Sequence, residues 1–213
     1  EFYKEEKSWK FNIQAVESLE YDTELLLKVK QAISTKGKDV HSLHTEFGKW
    51  LGICVKNFIK KNELRVDLVA SHGQTIYHDP AQEISIQVGD GQEIATLCGI
   101  PVVSDFRQSD VKMGGQGAPL VPIGDLLLFP EFKYCLNLGG IANISNKKDG
   151  IIKAFDVCIC NAGLNYFSEM KGFPYDDKGS MARSGSVNKE LLNKWNELDY
   201  FNQSPPKSLD ASF

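Results

Sequence analysis

The sequence predicts an α/β fold, and three observations carry the prediction. Short apolar runs closed by Gly, Pro or polar residues, such as Val66–Ala70, Pro101–Val103 and Tyr134–Leu138, read as buried strands. Longer segments carry apolar residues at spacings of three, four and seven, the period of an amphipathic helix. The two kinds interleave along the chain as β-loop-β-helix-β and then as a strand meander followed by a helix. Around this pattern stands Val102–Pro122, VVSDFRQSDVKMGGQGAPLVP. It delivers Asp105 and Arg107 just past a strand end, where ligands sit in α/β proteins. It then passes through Gly114, Gly115 and Gly117, whose missing side chains let backbone approach a ligand closely.

Residues 1–21 alternate around Trp9, Phe11, Ile13 and Ala15 and read as strand material, with a hairpin turn at Lys4–Lys7. Asp22 caps a helix through about Ile33, with Leu25, Leu26 and Val29 on one face and Gly37 as its breaker. A longer helix, about Val40–Lys61, carries one stripe of Leu43, Phe47, Trp50, Leu51, Cys54, Phe58 and Ile59. Lys56, Lys60 and Lys61 suit its C-terminal dipole. Strand Val66–Ala70 runs into the polar SHGQTIYHDP, and Asp79-Pro80 turns the chain. Ile84–Val88 is a strand, Gln92–Cys98 a helix ended by Gly99, and Pro101–Val103 the next strand. An apolar stretch, Ile123–Phe129, follows the glycines. Tyr134–Leu138, Ile141–Ser145 and Ile151–Phe155 form a meander around Gly139-Gly140 and a turn at Asn146–Gly150, with Asp156 at its end. Asn161–Lys171 reads as a helix, Pro174–Ser186 as a polar loop and Val187–Leu198 as a helix opened by Asn188. The Pro-broken tail carries no compact element. The division falls near residue 121, giving a first α/β domain over residues 1–121 and the start of a second over 122–213.

The 213 residues suffice for one large or two small domains, and 42% hydrophobic with 24% charged residues is ordinary for a globular chain. A net charge of −4 argues against nucleic acid or an anionic membrane as an electrostatic partner. No apolar run approaches the roughly 20 residues of a spanning helix, and no secretory pattern occurs. The first residue is Glu1 rather than Met, which fits an N-terminus that is missing or processed. Cys54, Cys98, Cys135, Cys158 and Cys160 are odd in number and scattered, as expected of reduced thiols in a cytoplasmic protein. The Cys158-x-Cys160 pair has no second pair to complete a metal site, and His72 and His78 are too few for a structural zinc.

Four strand ends carry polar chemistry: Ser71–Thr75, Asp105–Arg107, Gly139-Gly140 with Asn143, and Asp156. A strand followed by Gly-Gly presents backbone N–H groups to a phosphate. One carboxylate can hold Mg²⁺ and another can take a proton, the set that phosphoryl transfer needs. Each motif is weak alone, and neither a P-loop nor the H-R-D and D-F-G kinase pair is present.

SHGQTIYHDP, PVVSDFRQSDVKMGGQGAPLVPIGD, LNLGGIANIS, AFDVCICNAGLN, YDDKGSMARSG and PPKSL occur in the order found in anhydro-N-acetylmuramic acid kinases. The chain resembles that family over essentially its whole length. The resemblance implies an actin/hexokinase/Hsp70-like (ASKHA) two-domain sugar kinase fold. It implies ATP and Mg²⁺ as cofactors, 1,6-anhydro-N-acetylmuramic acid as substrate, a homodimer and a cytoplasmic role in recycling cell-wall sugars. By its place in S-D-F-R, Asp105 matches the catalytic base. His72, Gln74, Thr75 and Arg107 match the sugar pocket. Gly114, Gly115, Gly117, Gly139, Gly140 and Asn143 match nucleotide-binding turns, and Asp156 matches the metal shell. Each has a structural alternative: Arg107 as an ion-pair partner, His72 as a satisfied core histidine, Asp156 as a helix cap.

The sequence also departs from the family. Neither its opening G-x-M-S-G-T-S-x-D-G loop nor its later Gly-rich adenine motif occurs in these residues, so the fold is expected to be incomplete here. The usual F-D-T-G-P-G-N is Phe155-Asp156-Val157-Cys158-Ile159-Cys160-Asn161. A second reading follows, an inactive sugar-binding module derived from the kinase. An esterase built on Ser71 and His72 is a poor third, since no G-x-S-x-G elbow exists.

Overall fold

A computed structural model describes residues 1–6, 8–79, 82–148, 151–205 and 207–209. The chain divides into two units, one of Glu1–Tyr3 with Phe11–Leu120 and one of Lys4–Lys10 with Val121–Phe213. Of the expected turns, Lys7, Pro80 and residues 149–150 lie outside the described residues, as do Ala81, Pro206 and residues 210–213.

Strands β1 (Phe2–Glu5) and β2 (Ser8–Phe11) pair as a two-stranded sheet. The strand expected to continue through Ala15 stops at Phe11; among the described residues no strand pairs with the segment beyond it, and Ile13 and Val16 are exposed. Helix α1 (Thr23–Ser34) opens on Asp22, whose carboxylate accepts from Leu25 N at 2.8 Å. Helix α2 (His41–Lys61) follows as its stripe predicts, with Leu43 and Phe47 buried.

Strand β3 is only Val69–Ala70, shorter than expected. Strand β4 (Gln74–Asp79) pairs antiparallel with β5 (Ile84–Val88). Gln74 and Thr75 therefore lie on a strand, not in the polar loop their composition indicated. Leu25, Val29 and Ala32 of α1, Leu43 and Phe47 of α2, Ile76 of β4 and Val88 of β5 make one core. Tyr21 closes it edge-on against Phe47 and Trp50, at 5.5 and 5.2 Å between ring centroids.

Helix α3 (Gly91–Cys98) is capped by Asp90, which accepts from Gln92 N at 2.8 Å, and is ended by left-handed Gly99. It packs on α2 through the buried Gly48 and Gly52. A Cβ at Gly48 would stand 2.7 Å from the Asp90 backbone N and O, so only glycine permits this approach. Strand β6 (Val102–Val103) pairs parallel with β3, Val69 opposite Val102. Helix α4 (Phe106–Lys112) occupies residues that read as the start of a loop. Val111 is its one buried residue, which leaves no apolar period to detect.

In the second unit, α5 (Pro122–Leu128) has Pro at its first turn. Strands β7 (Tyr134–Leu138), β8 (Ile141–Lys148) and β9 (Ile151–Ile159) form the antiparallel meander. β8 continues through Lys148 where a turn was expected from Asn146, and β9 carries Asp156 inside the strand rather than at its end. Buried Asp125 holds α5 to this sheet by accepting from Ser145 Oγ at 2.6 Å. Lys147 Nζ donates to the Asp125 and Phe129 carbonyls at the end of that helix. Helix α6 (Asn161–Glu169) follows. The expected polar loop contains a 3₁₀ turn at Asp177–Gly179 and helix α7 (Ser180–Ser184). Helix α8 (Lys189–Asn196) is capped by Asn188, which accepts from Leu191 N at 3.0 Å, and α9 is Asp199–Asn202. The described part of the tail is packed. Tyr200 and Leu209 are buried, so the absence of a compact element there is corrected.

Among the described residues no helix is long and apolar enough to cross a membrane, and the five cysteines are free thiols.

Candidate active site

The parallel pair β3–β6 extends by Ser71 N donating to Val103 O at 2.8 Å, which sets Ser71-His72 beside Ser104-Asp105 at the carboxyl ends of both strands. The start of α3 lies alongside, Gly91 packing on Ser104. These ends and one face of α4 line an open cavity of about 840 Å³. His72, Gln87, Asp90, Asp105, Gln108 and Lys112 are among its walls. Asp105, Gln108 and Lys112 stand at i, i+3 and i+7, one side of α4.

Asp105 occupies the N-cap position of α4 in left-handed geometry, φ 62° and ψ 39°. That conformation costs about 1–2 kcal/mol outside glycine, and aspartate is among the few residues that adopt it. Unlike Asp22 and Asp90, Asp105 makes no capping hydrogen bond. Among the described residues its carboxylate has no partner, and it is exposed on the cavity wall. A free carboxylate held at a strained backbone position is the arrangement expected of a working acid–base group.

Of the residues matched to the sugar pocket, only His72 lines the cavity with Asp105. Arg107 points elsewhere: its Nε donates to His72 Nε2 at 2.9 Å and its NH1 to the Gly117 carbonyl at 2.6 Å. Among the described residues it pairs with no carboxylate, and His72 is exposed rather than a core histidine. Burial pushes the Arg107 pKa down from its ordinary value. Gln74 accepts from Tyr21 OH at 3.0 Å and donates to the Thr75 carbonyl at 3.2 Å, so it braces the wall from behind.

Asp110 was missed by the sequence reasoning. Its Oδ2 accepts from Gly117 N at 2.6 Å and its carbonyl from Gly115 N at 2.9 Å, so Gly114–Gly117 wraps around it. A Cβ at Gly115 would collide with the Asp110 carboxylate. The signal available was an acidic residue four positions before a Gly-Gly pair. His78 was also passed over as a site residue. Its Nδ1 lies 3.0 Å from Ser85 Oγ, and its Nε2 is buried beside the Gln116 backbone. Burial, then the Arg107 charge, pushes the His78 pKa down.

In the second unit, the Gly139 and Gly140 carbonyls accept from Cys160, Asn161 and Ala162 N–H groups at 2.9–3.1 Å, seating the turn on the start of α6. Their own N–H groups have no protein acceptor among the described residues, as a phosphate-binding turn requires. Asn143 is the cross-strand partner of Asp156, beside the bulge between Ala142 and Asn143.

Asp156 is buried and caps no helix. Its Oδ2 accepts from Leu209 N at 2.8 Å, its N–H donates to Lys207 O at 3.1 Å, and its carbonyl accepts from Tyr200 OH at 2.7 Å. Burial raises its pKa, and the Leu209 N–H opposes that. Burial, then the Asp156 and Cys158 charges, push Tyr200 up to about 12. Among the described residues no three His, Cys, Asp or Glu side chains gather as a metal site. One carboxylate with one oxygen left over fits a hydrated Mg²⁺ carried in with a nucleotide, not a cage of protein ligands.

A family model described as anhydro-N-acetylmuramic acid kinase matches residues 17–211. A curated protein of that name from Sulfurimonas denitrificans is 35% identical over 209 residues, covering 93% of this chain and 56% of that protein. Its namesake from Methylobacterium nodulans is 43% identical over 168 residues, 74% of this chain and 45% of the relative. The one from Zymomonas mobilis is 41% identical over 167 residues, 74% and 46%. The chain spans about half the length of the curated relatives it matches.

Proposed function

Because the chain belongs to the anhydro-N-acetylmuramic acid kinase family, we propose that the whole protein phosphorylates 1,6-anhydro-N-acetylmuramic acid at O6 with ATP as water opens the anhydro ring. The product is N-acetylmuramic acid 6-phosphate. The observation that carries this reading is Asp105, an aspartate at a helix start that leaves its carboxylate free on the cavity wall.

The anhydro sugar has no free 6-hydroxyl. Water must attack C1 as the C1–O6 bond breaks, and O6, still bonded to C6, takes the γ-phosphoryl group with ADP as the leaving group. Asp105 accepts the proton of that water. Mg-ATP supplies the phosphoryl group and neutralises its charge. Gly139 and Gly140, with open N–H groups, receive phosphate oxygens, assisted by Asn143. In the first unit the loop of Gly114, Gly115 and Gly117 is a further turn matched to nucleotide binding, and in the second Asp156 would hold a water on Mg²⁺. His72 packs against the sugar, while Gln74, Thr75 and Arg107 support that wall. In this reading the fold is the two-domain ASKHA type, divided near residue 121, and the protein works as a cytoplasmic homodimer in recycling wall sugars.

The test is ADP release by the full-length protein given Mg-ATP and the anhydro sugar. Asp105→Asn should lower kcat by about 10²–10⁴-fold, the usual worth of a general base. Asp110→Asn is the companion, five residues on. A loss confined to Asp110→Asn would move the base to Asp110. A folded full-length protein that binds the sugar without turnover would overturn the kinase and leave a binding module.

A further inference from the structure

Arg107 carries only donors and stays charged. Its Nε–H donates to His72 Nε2 at 2.9 Å, so that nitrogen must present a lone pair. His72 Nδ1 lies 3.0 Å from the Gly73 carbonyl, an acceptor, so Nδ1 must carry the proton. The two contacts together permit one protonation state only: neutral imidazole with its hydrogen on Nδ1, the reverse of the tautomer that free histidine favours in water.

The same guanidinium reaches the other way. Arg107 NH1 donates to Gly117 O at 2.6 Å, and Asp110 Oδ2 accepts from Gly117 N at 2.6 Å. Residues 107 and 110 stand one turn apart on α4 and grip both sides of a single glycine. Gly117 lies at φ +63°, and a Cβ there would run into the Val111 side chain. The loop is thus fastened to α4, and α4 is fastened through Arg107 to a cavity-lining side chain. Arg107 itself is not part of the cavity wall.

We propose that Arg107 is a positioning residue: it holds His72 as the Nδ1–H tautomer and, through the Gly117 carbonyl, ties the cavity wall to the glycine loop. With both ring nitrogens engaged, His72 cannot take a proton from a ligand while the clamp is closed. Its contribution to binding is packing and shape. A displacement of Gly117 by anything bound at the loop is transmitted through one rigid planar fork to His72. Lysine, a point charge on a flexible stem, cannot make both contacts in fixed geometry. The inference stands independently of which reaction the cavity serves.

The test is long-range ¹H–¹⁵N correlation of histidine-labelled protein near neutral pH, with amide exchange at Gly117. His72 should show a protonated Nδ1 and a bare Nε2. In Arg107→Lys and Arg107→Met the ring should pass to a mixture dominated by Nε2–H, and Gly117 should exchange roughly five- to tenfold faster, as the loss of one hydrogen bond implies. Asp110→Asn should speed Gly117 exchange and leave the His72 tautomer unchanged. An Nε2–H ring in the folded unmodified protein overturns the proposal, even if the Arg107 variants fail to fold. So does an unchanged tautomer in a folded Arg107 variant. Loss of the kinase reading would leave each of these outcomes intact.

Discussion

Three aspartates open helices in the first unit, and they differ in what their carboxylates do. Asp22 accepts from Leu25 N and Asp90 from Gln92 N, while Asp105 accepts from no capping N–H. In the sequence all three precede helical residues. What singles out Asp105 is a backbone angle, and no residue pattern reports that. His78 gives a residue-scale prediction. Its folded pKa lies below the ordinary 6.5, because burial and the Arg107 charge disfavour the cation. The unfolded chain therefore binds the proton more readily. The stability gained by keeping His78 neutral is fully present above about pH 6.5 and is lost as pH falls through the lowered folded value. Between about pH 7.5 and about pH 5.5 the urea midpoint should fall, and His78→Gln should fall less. Equal slopes would remove His78 as the cause. His72 and Asp105 were legible as cavity residues from their motifs. Arg107 was legible as important but not in its direction, since its partners lie thirty-five positions back at His72 and ten ahead at Gly117.

At the scale of elements, α2 places the cavity by how closely it can approach α3. Gly48 and Gly52 sit one turn apart on the buried side, and the seam they form brings Asp90 against His44, whose carbonyl accepts from Asp90 N at 3.1 Å. Gly48→Ala should destabilise the first unit by about 1–2 kcal/mol, overpacking outweighing the gain in helix propensity. Chemical denaturation reads this directly, and a stabilised variant would show that the seam can yield. Periodicity and caps made α1, α2, β5, α3 and β7 readable nearly to the residue. Helix α4 was unreadable because seven residues with one buried side chain hold no period. Strand β4 was unreadable because its polar letters are those of a loop, and only pairing with β5 makes them a strand.

At the scale of the whole molecule the surface is large. The chain exposes 15309 Å², against about 12,000 Å² for two separate folded domains of half its mass. Many large apolar side chains are exposed. Tyr134, Leu136 and Leu138 alternate along the outermost strand of the meander and are 53%, 57% and 61% exposed. Such a strand invites pairing. The 213-residue chain should bind an apolar fluorescent dye while keeping its folded circular dichroism, and Leu136→Lys with Leu138→Lys should reduce that binding. Dye binding unaffected by both changes would place the sticky surface elsewhere. The meander was legible because its strands are adjacent in sequence. The tail was not, because Leu209 finds its partner 53 positions away at Asp156. Tyr200, Lys207 and Leu209 occupy the carbonyl, the N–H and the carboxylate of that one aspartate. Such a three-point buckle has no half-open state worth occupying, because each loosened strap bares a polar group the others still enclose. Tyr200, Lys207 and Leu209 therefore stay fastened or come away together, and a protease would find at these residues a latch.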